Sequence, residues 1–345
     1  MSKRDFIRNK LTLLLSITVI IIWIMTYIAM IYTILGGYEL NVKVPLYFVI
    51  FPLAAAIYFP YNEIIWVLFL FIVISLSGIF ILRDFSKYIH KVNYKENFGR
   101  FTELFVVLIS FTLFSYFVSM LFTQQSNPFG NPTSGVPTNV LLLSLMHAPV
   151  WEEIVYRALI LGVPLYILFY RGKLPWYRAI VGGKFTMNKP TIALLILSAF
   201  FFGSAHLVSW EPAKFPSVFI AGLILGYVFL RYGIYASITM HFLVDFSGSY
   251  SLLSGPFWYI AAIFLGYLTF LWFIVGIPYY FTYLGEIFLR KRTKKEENIE
   301  KVQENLVLGY KIICPYCGFD QHTYLGENKF KCLRCGSIFY FEKKP

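Results

Sequence analysis

The sequence predicts an all-α polytopic membrane protein with about 8–9 transmembrane helices, followed by a small β-rich module at the C-terminus. Three observations support this fold class. Of the 345 residues, 58% are hydrophobic and only 14% are charged. Apolar runs of about 20 residues, long enough to span a bilayer as helices, recur along the chain. All four cysteines lie near the C-terminus, in two C-x2-C-G motifs.

The first part of the chain, residues 1–137, contains four apolar runs without a charge or a histidine. Residues 1–10 carry four basic residues, as the start of a signal peptide does. The first run, however, is about 25 residues long and has no small-x-small cleavage motif, so we expect a retained anchor. A membrane helix is predicted in each run, at residues 11–35, 45–59, 64–82 and 104–123.

The rest of the chain divides into four further segments. Residues 138–255 would form the core that carries the polar membrane residues, and residues 256–289 the final membrane helix. A charged, loosely helical linker is expected at 290–310 and a separate module at 311–345. Membrane helices are predicted at about 139–170, 191–208, 215–231, 234–252 and 257–285, the first interrupted near Pro149.

The basic residues orient the predicted helices. A net charge of +12 would suggest a nucleic-acid partner in a soluble protein, but here Lys and Arg cluster between apolar runs, as in cytoplasmic loops. We therefore expect no nucleic acid, and only weak attraction to anionic lipid head groups. Segments 83–100 and 171–189 each hold five basic residues and should be cytoplasmic, like the tail after Leu289, whereas the uncharged segment 124–139 should lie outside. The basic N-terminus favours a cytoplasmic location for the start of the chain. If both runs between 45 and 82 crossed the membrane, the N-terminus would lie outside, so a cytoplasmic N-terminus requires one of them to be re-entrant.

The cysteine motifs predict a zinc ribbon. Cys314-Pro-Tyr-Cys317-Gly and Cys332-Leu-Arg-Cys335-Gly each place two thiolates on a tight turn, and short stretches of alternating residues flank them. Two such turns complete a tetrahedral site of four sulfurs, with no open position for catalysis. The zinc would therefore be structural. A rubredoxin-like iron site and two disulfides are the alternatives, and a cytoplasmic location disfavours disulfides. We expect His322 to be a surface residue of a strand and not a fifth ligand.

Seven ionisable residues lie within the later apolar runs, although a charge at the bilayer centre costs about 2.5 to 3.5 kcal/mol. Such residues indicate a polar site inside a helical bundle. They are His147, Glu152, Glu153, Arg157, His206, His241 and Asp245. Hydrogen-bonded packing is the simpler interpretation for His147.

The spacing of these residues suggests how they are divided. Glu153 and Arg157 are four apart and can form a buried ion pair. Glu152 is rotated by about 100° from its neighbour and is left to face a cavity as a general base. Two carboxylates and two imidazoles on three helices can activate a water and stabilise an oxyanion. They are Glu152, His206, His241 and Asp245, the last two at i,i+4 on one helix.

These motifs resemble the type II CAAX prenyl endopeptidases and the related CAAX protease and bacteriocin-processing (Abi) family of intramembrane proteases. The family pattern E-E-x-x-x-R, F-x-x-x-H and H-x-x-x-N/D is matched by Glu152-Glu153-x-x-x-Arg157, Phe202-x-x-x-His206 and His241-x-x-x-Asp245. Ala148-Pro149, Gly222-x-x-x-Gly226 and Arg231-Tyr-Gly233 are also similar. The resemblance covers about residues 140–250 and does not extend to the first four runs or the ribbon.

The resemblance implies an endopeptidase in which Glu152 and His206 activate water, His241 and its partner at i+4 hold the oxyanion, and Glu153 and Arg157 support them. Asp245 stands where the prenyl proteases usually carry Asn, and an ionised carboxylate would repel an oxyanion. Asp245 must then be protonated, orient His241 or help bind a metal. The family mechanism has been argued both as glutamate-activated water and as metal-dependent, so a catalytic metal stays open.

Other protein classes fit less well. The sequence has no H-E-x-x-H zincin motif, no G-x-S-G serine nucleophile and only one membrane aspartate, Asp245. Two alternatives of different class remain: a non-catalytic membrane scaffold or immunity-type protein, and a transporter that uses the polar cluster as an ion path. The expected partners of a protease are membrane lipid and a peptide or protein substrate. A prenylated C-terminus, a membrane peptide and a bacteriocin-like propeptide are all compatible with the sequence.

Overall fold

The computed structural model describes residues 3–36, 45–50, 53–58, 63–90, 98–130, 134–307, 313–326 and 329–340. The chain forms two compact units, Met1–Tyr280 and Phe281–Pro345. In the first unit the helices are α1 (Lys3–Leu35), α2 (Glu63–Ile89), α3 (Phe98–Thr123), α4 (Thr138–Glu152), α5 (Val163–Leu165), α6 (Arg178–Val181), α7 (Lys189–His206), α8 (Phe215–Arg231) and α9 (Ile234–Phe246). Helix α10 (Pro256–Val307) begins there and continues into the second unit.

Seven helical segments among the described residues are long and apolar enough to cross a membrane. They are Arg8–Leu35, Ile64–Lys87, Gly99–Thr123, Thr138–Tyr170, Lys189–His206, Pro212–Arg231 and Pro256–Tyr283. Large apolar side chains on their outer faces are exposed, as expected where lipid is the solvent; Leu14 on α1 and Ile72 on α2 are examples. The protein is therefore an integral, multi-pass membrane protein, as predicted.

Helix α9 is too short to count among these spans, yet it is extended by a 3-10 helix at Ser247–Leu252. Its 13 residues rise about 20 Å and the following six about 12 Å. Together they match the thickness of a bilayer core, about 30 Å. The predicted span at 234–252 is thus formed by two kinds of helix in succession.

The prediction of a membrane helix at 45–59 is wrong. Strands β1 (Pro45–Ile50) and β2 (Leu53–Tyr58) form an antiparallel hairpin there, with Pro45 opposite Tyr58 and Ile50 opposite Leu53. In the sequence, Pro52 falls between the two strands, and Pro45 and Pro60 bound the run. A proline cannot donate a backbone hydrogen bond. These prolines disfavour a continuous helix, whereas aromatic and β-branched residues such as Tyr47 and Val49 favour a strand.

The helices that carry the polar residues are packed in the interior of the first unit. Met146 and Val150 of α4 pack with Phe242 and Phe246 of α9 in a core that also includes side chains of α1 and α2. Helices α7 and α8 lie very close together: a Cβ on Gly222 would be 3.0 Å from the Cα of Ala199. Only glycine permits this approach, which brings the two helices together beside α9.

Contacts between helix termini show which ends of the bundle lie together. Arg8 near the start of α1 bonds Glu103 near the start of α3 at 2.9 Å. At the same end, Tyr235 near the start of α9 donates to Asp84 near the end of α2 at 3.2 Å. We call this the basic end, because the described residues of segments 3–10, 83–100 and 171–189, together with Arg231, belong to it. The opposite end holds the described residues of segments 124–139, 207–214 and 247–255.

Two predicted boundaries change in the structure. Helix α10 continues without a break from the final membrane span to Val307, so much of the segment expected as a loosely helical linker, 290–310, belongs to that helix. The predicted interruption near Pro149 is not a break either. Helix α4 runs through Pro149 and becomes π-helical only at Glu153–Gly162.

Candidate active site

A cavity of about 340 Å³ lies among α3, α4, α7, α8 and α9. All four predicted catalytic residues line it: Glu152, His206, His241 and Asp245. The remaining lining residues are mostly apolar, with Lys214 as the single Lys or Arg: Leu108, Thr112, Leu141, Ser144, Leu145, Ala148, Phe202, Trp210, Lys214, Ser217, Val218, Ala221, Leu225 and Val244. The structure therefore gathers residues that are far apart in sequence into one polar site with apolar walls.

The two adjacent glutamates occupy different environments. Glu152 ends α4 and Glu153 begins the π-helical segment, where backbone hydrogen bonds join residues five apart. Glu153 is fully buried, whereas the Glu152 side chain is 24% exposed and lines the cavity. Short π-helical segments are frequent at functional sites. Here the segment begins at the residue that separates the cavity-facing carboxylate from the buried one.

Glu153 is the centre of a buried polar cluster. Its Oε2 accepts from Arg157 Nε at 3.2 Å and from the Ser237 hydroxyl, and its Oε1 lies 2.9 Å from His241 Nδ1. Arg157 is also fully buried, with its guanidinium 4.5 Å from the centroid of the Phe202 ring. A buried carboxylate needs such partners, because an unpaired one would be strongly destabilising. The predicted Glu153–Arg157 pair is present, and it connects to α9 through Ser237 and His241.

His241 is surrounded by carboxylates. While Nδ1 faces Glu153, Nε2 lies 3.3 Å from Asp245 Oδ2 and 3.7 Å from Glu152 Oε2. A carboxylate accepts hydrogen bonds, so both ring nitrogens are positioned to donate. When both nitrogens donate, the ring is the imidazolium and brings one positive charge among three acidic groups.

His206 has one nitrogen fixed by the backbone. Its Nδ1 lies 2.9 Å from the Phe202 carbonyl oxygen, which can only accept, so Nδ1 carries the proton. In the neutral form of the ring, Nε2 is then the unprotonated nitrogen and can accept a proton. His206 is the last residue of α7, where the helix ends and the side chain reaches the cavity.

His147 lies apart from this site. It is buried between Trp66, whose ring centroid is 5.7 Å away, and Trp151, at 6.4 Å. It does not line the cavity. His147 is thus packed between aromatic rings outside the cavity, but its Nε2 has no hydrogen-bond partner among the described residues, so the expected hydrogen bonding is not seen.

Sequence reasoning missed two polar residues of the site. Ser237 precedes His241 by one helical turn and bonds Glu153, and that i,i+4 spacing was the available clue. Lys214 lies at the end of the bundle opposite the basic end, with its Nζ 4.6 Å from the Trp210 ring centroid and 4.7 Å from that of Phe129. No motif in the sequence identifies Lys214, because the loop before α8 brings it to the cavity.

The four cysteines form a separate candidate metal site in the second unit. Their sulfurs all lie within 4.8 Å of one another, with Cys314 Sγ 3.7 Å from Cys335 Sγ and Cys317 Sγ 3.5 Å from Cys332 Sγ. A tetrahedral zinc with Zn–S bonds of about 2.3 Å requires sulfurs about 3.8 Å apart. The observed distances fit a metal ion and are too long for disulfide bonds.

The local fold of this module explains the cysteine geometry. Gly318 N donates to Cys314 O at 2.9 Å and Gly336 N to Cys332 O at 3.0 Å, and both glycines have positive φ angles, 73° and 72°. These two turns aim the sulfurs at a common point.

Three antiparallel strands support the turns, in the order β3 (His322–Gly326), β4 (Lys329–Cys332) and β5 (Ile338–Tyr340). Phe330 and Phe339 pack beneath them. His322 lies on β3 with its ring 5.0 Å from that of Phe330, and it is not among the clustered ligands.

The fold and the cavity define a multi-pass membrane protein with acidic and imidazole groups buried between its helices, as a membrane-embedded hydrolase requires. Residues 134–247 match the family model of the Rce1-like type II CAAX prenyl endopeptidases. This match contains all the residues of the cavity cluster on α4, α7 and α9. Since that family consists of proteases, the similarity supports a protease. No curated protein and no solved structure matches the chain.

Proposed function

We propose that the protein is an intramembrane endopeptidase in which Glu152 is the catalytic base. The observation that carries this proposal is the different placement of the two glutamates. Glu153 is fully buried and bonded to three side chains, whereas Glu152 lines the cavity with one oxygen, Oε2, that has no hydrogen-bond partner among the described residues. A carboxylate in this position can accept a proton from a water molecule in the cavity.

In the proposed reaction, water is activated between Glu152 and His206. Glu152 removes a proton as the water oxygen attacks the peptide carbonyl, and the unprotonated Nε2 of His206 accepts a hydrogen bond from the same water. The proton then passes to the leaving amine as the C–N bond breaks. The products are a new carboxyl terminus and a new amino terminus, so one water is consumed for each bond cleaved.

His241 would stabilise the negative charge that develops on the carbonyl oxygen. A positive imidazolium in a water-poor cavity is effective for this purpose. Asp245 then acts on His241 and not directly on the oxyanion, which is supported by the 3.3 Å separation from Nε2. This role accommodates an aspartate where the similar enzymes usually have an asparagine.

The arrangement favours glutamate-activated water over a catalytic metal. Both nitrogens of His241 already face carboxylates, with Nδ1 2.9 Å from Glu153 Oε1 and Nε2 3.3 Å from Asp245 Oδ2. Within the part of the chain that the structure describes, the four cysteines are the one group of three or more such side chains close enough to hold a metal. We propose that this group binds structural zinc, with Cys314, Cys317, Cys332 and Cys335 as the ligands.

The first test is proteolysis by purified full-length protein in lipid vesicles that also contain candidate membrane proteins. Glu152→Gln should abolish cleavage, by about 100-fold or more, because the base is lost while the Glu153 cluster is intact. Glu211→Gln is the matched control, since Glu211 is an exposed carboxylate of the loop before α8 and does not line the cavity. It should cleave normally.

Full activity of a folded Glu152→Gln protein would contradict the proposal. Glu152-dependent ion flux through the same vesicles without any cleavage would favour the transporter. Binding of a partner without cleavage or flux, unaffected by Glu152→Gln, would favour the scaffold.

A further inference from the structure

The catalytic cavity and a strongly basic cavity lie at opposite ends of α9. The basic cavity, of about 810 Å³, is lined by Ile234, Tyr235 and Ile238 from the first half of α9. The catalytic cavity is lined by His241, Val244 and Asp245 from the second half. The charged residues of the basic cavity are five cations and one carboxylate: Arg83, Lys87, Arg178, Lys184, Arg231 and Asp84.

The sequences of six further segments of the first unit show the same division; the segment that carries Lys43, between α1 and the hairpin, lies outside the described residues. The segments of the basic end, 3–10, 83–100 and 171–189, carry 14 Lys or Arg residues. In the segments of the opposite end, 124–139, 207–214 and 247–255, Lys214 is the one Lys or Arg. Cytoplasmic loops of membrane proteins carry such an excess of basic residues. The basic end is therefore the cytoplasmic end.

The hairpin at 45–58 removes the difficulty of counting helices. Because β1 and β2 take the place of a membrane helix, three helices, α1, α2 and α3, cross the membrane between the basic N-terminus and segment 124–139. Three crossings place the N-terminus and segment 124–139 on opposite sides. The bond from Arg8 to Glu103 independently places the starts of α1 and α3 at the same end. The count of membrane crossings and the positive charge of the N-terminus then both place the N-terminus in the cytoplasm.

Several lining residues of the catalytic cavity come from the other end of the bundle. His206 ends α7, while Trp210 and Lys214 belong to the loop that joins α7 to α8. Leu141 and Ser144 come from the first half of α4, near segment 124–139. Helix α7 starts at the basic end with Lys189, so its last residue, His206, lies toward the outside.

We infer that the catalytic cavity opens toward the extracytoplasmic side of the membrane, and that its substrates are segments of exported or membrane-anchored proteins. This inference rests on the proposed protease function. A C-terminal tail that is prenylated in the cytoplasm would meet the basic end instead. Apolar walls with a single lysine, Lys214, suit an apolar peptide that carries a carboxylate near the bond to be cut.

Cysteine labelling in intact cells tests the orientation. The four native cysteines are all in the ribbon, so single cysteines can be added to the full chain. Ser209→Cys lies in the exposed loop beside the cavity without lining it, and Met187→Cys, 44% exposed in the wild type, lies in the loop before α7. A membrane-impermeant maleimide should label Ser209→Cys on intact cells. It should label Met187→Cys only after the cells are permeabilised. In the parent chain, the ribbon cysteines should likewise be labelled only after permeabilisation, and only once a chelator has removed the metal.

Labelling of Met187→Cys on intact cells, or failure to label Ser209→Cys until permeabilisation, would overturn the inference. The chemistry is tested separately by sequencing the new protein termini in cells that express the wild type or Glu152→Gln. We expect the Glu152-dependent cleavage sites to lie on the extracytoplasmic side of their substrates. Glu152-dependent sites in cytoplasmic tails would overturn the orientation and leave the protease function standing. Correct labelling without any Glu152-dependent site would contradict the protease function instead.

Discussion

At the scale of single residues, the site depends on a contrast between neighbours. Glu152 and Glu153 are identical side chains one position apart, yet one lines the cavity and the other is bonded to Arg157, Ser237 and His241. A rotation of about 100° between consecutive helical residues produces this difference. The sequence predicted the contrast because Arg157 is four residues after Glu153. It could not predict Ser237, since that contact requires α9 to pack against the π-helical segment.

Replacing Asp245 distinguishes its possible roles. In Asp245→Asn an amide oxygen can still accept from His241 Nε2, so cleavage should fall by less than about tenfold. Asp245→Ala removes the acceptor and should lower kcat by about 100-fold. If Asp245 acted as a protonated donor, the Asn variant would instead be as active as the wild type or more active, with its optimum at higher pH, because no carboxylate would need a proton. Rates measured from pH 5 to 9 for both variants separate these outcomes, and a dead Asn variant would favour a metal ligand.

Replacing Arg157 should affect the fold as well as the chemistry. Arg157→Ala leaves the Glu153 carboxylate without its cation in a fully buried position, at a cost of about 3 to 5 kcal/mol. We expect lower yield and a lower Tm in detergent. The matched control is Arg171→Ala, because Arg171 is exposed and belongs to the basic segment after the α4 span. An unchanged Tm for Arg157→Ala would mean that the pair contributes little to stability.

At the scale of elements, the apolar runs show what composition can and cannot predict. Periodicity and length predicted the α7, α8 and α10 spans, since a bilayer requires helices of that length. The run at 45–59 met the same criterion of composition but forms β1 and β2. The prolines at positions 45, 52 and 60 and the aromatic and β-branched residues of the run indicated strands, whereas hydrophobicity alone did not distinguish a strand from a helix.

The ribbon is the element whose predicted stability depends on metal. With about 30 residues it cannot bury enough apolar surface to fold unaided, so metal binding supplies its folding free energy. Elemental analysis of the intact chain should find one zinc per molecule. Cys332→Ser should lose it and make the ribbon sensitive to proteases, whereas His322→Ala should keep it. An intact chain that contains iron, or no metal, would contradict the assignment.

At the scale of the whole molecule, a catalytic cavity at one end and a ribbon after the final membrane helix suggest separate tasks. We expect the ribbon to serve recognition or regulation, because its four ligands leave no open position for chemistry. A chain that lacks residues 311–345 should cut a minimal peptide at a rate within about twofold of the full chain while cutting a different set of full-length proteins. Peptide turnover and the terminal sequencing described above measure the two effects. Loss of peptide turnover in a well-folded truncated protein would show that the ribbon is needed for the reaction itself.

The sequence by itself determined the membrane class, the polar motifs and the metal site, because these depend on local features: apolar length, spacing along one helix and paired cysteines on tight turns. The tertiary structure decided which of the polar residues share a cavity, since His206, His241 and Glu152 come from three helices whose packing no local pattern encodes. It also decided the hairpin and the positions of Ser237 and Lys214. The contact of Ser237 with Glu153, for example, joins residues 84 positions apart, and only the packed bundle brings such residues together.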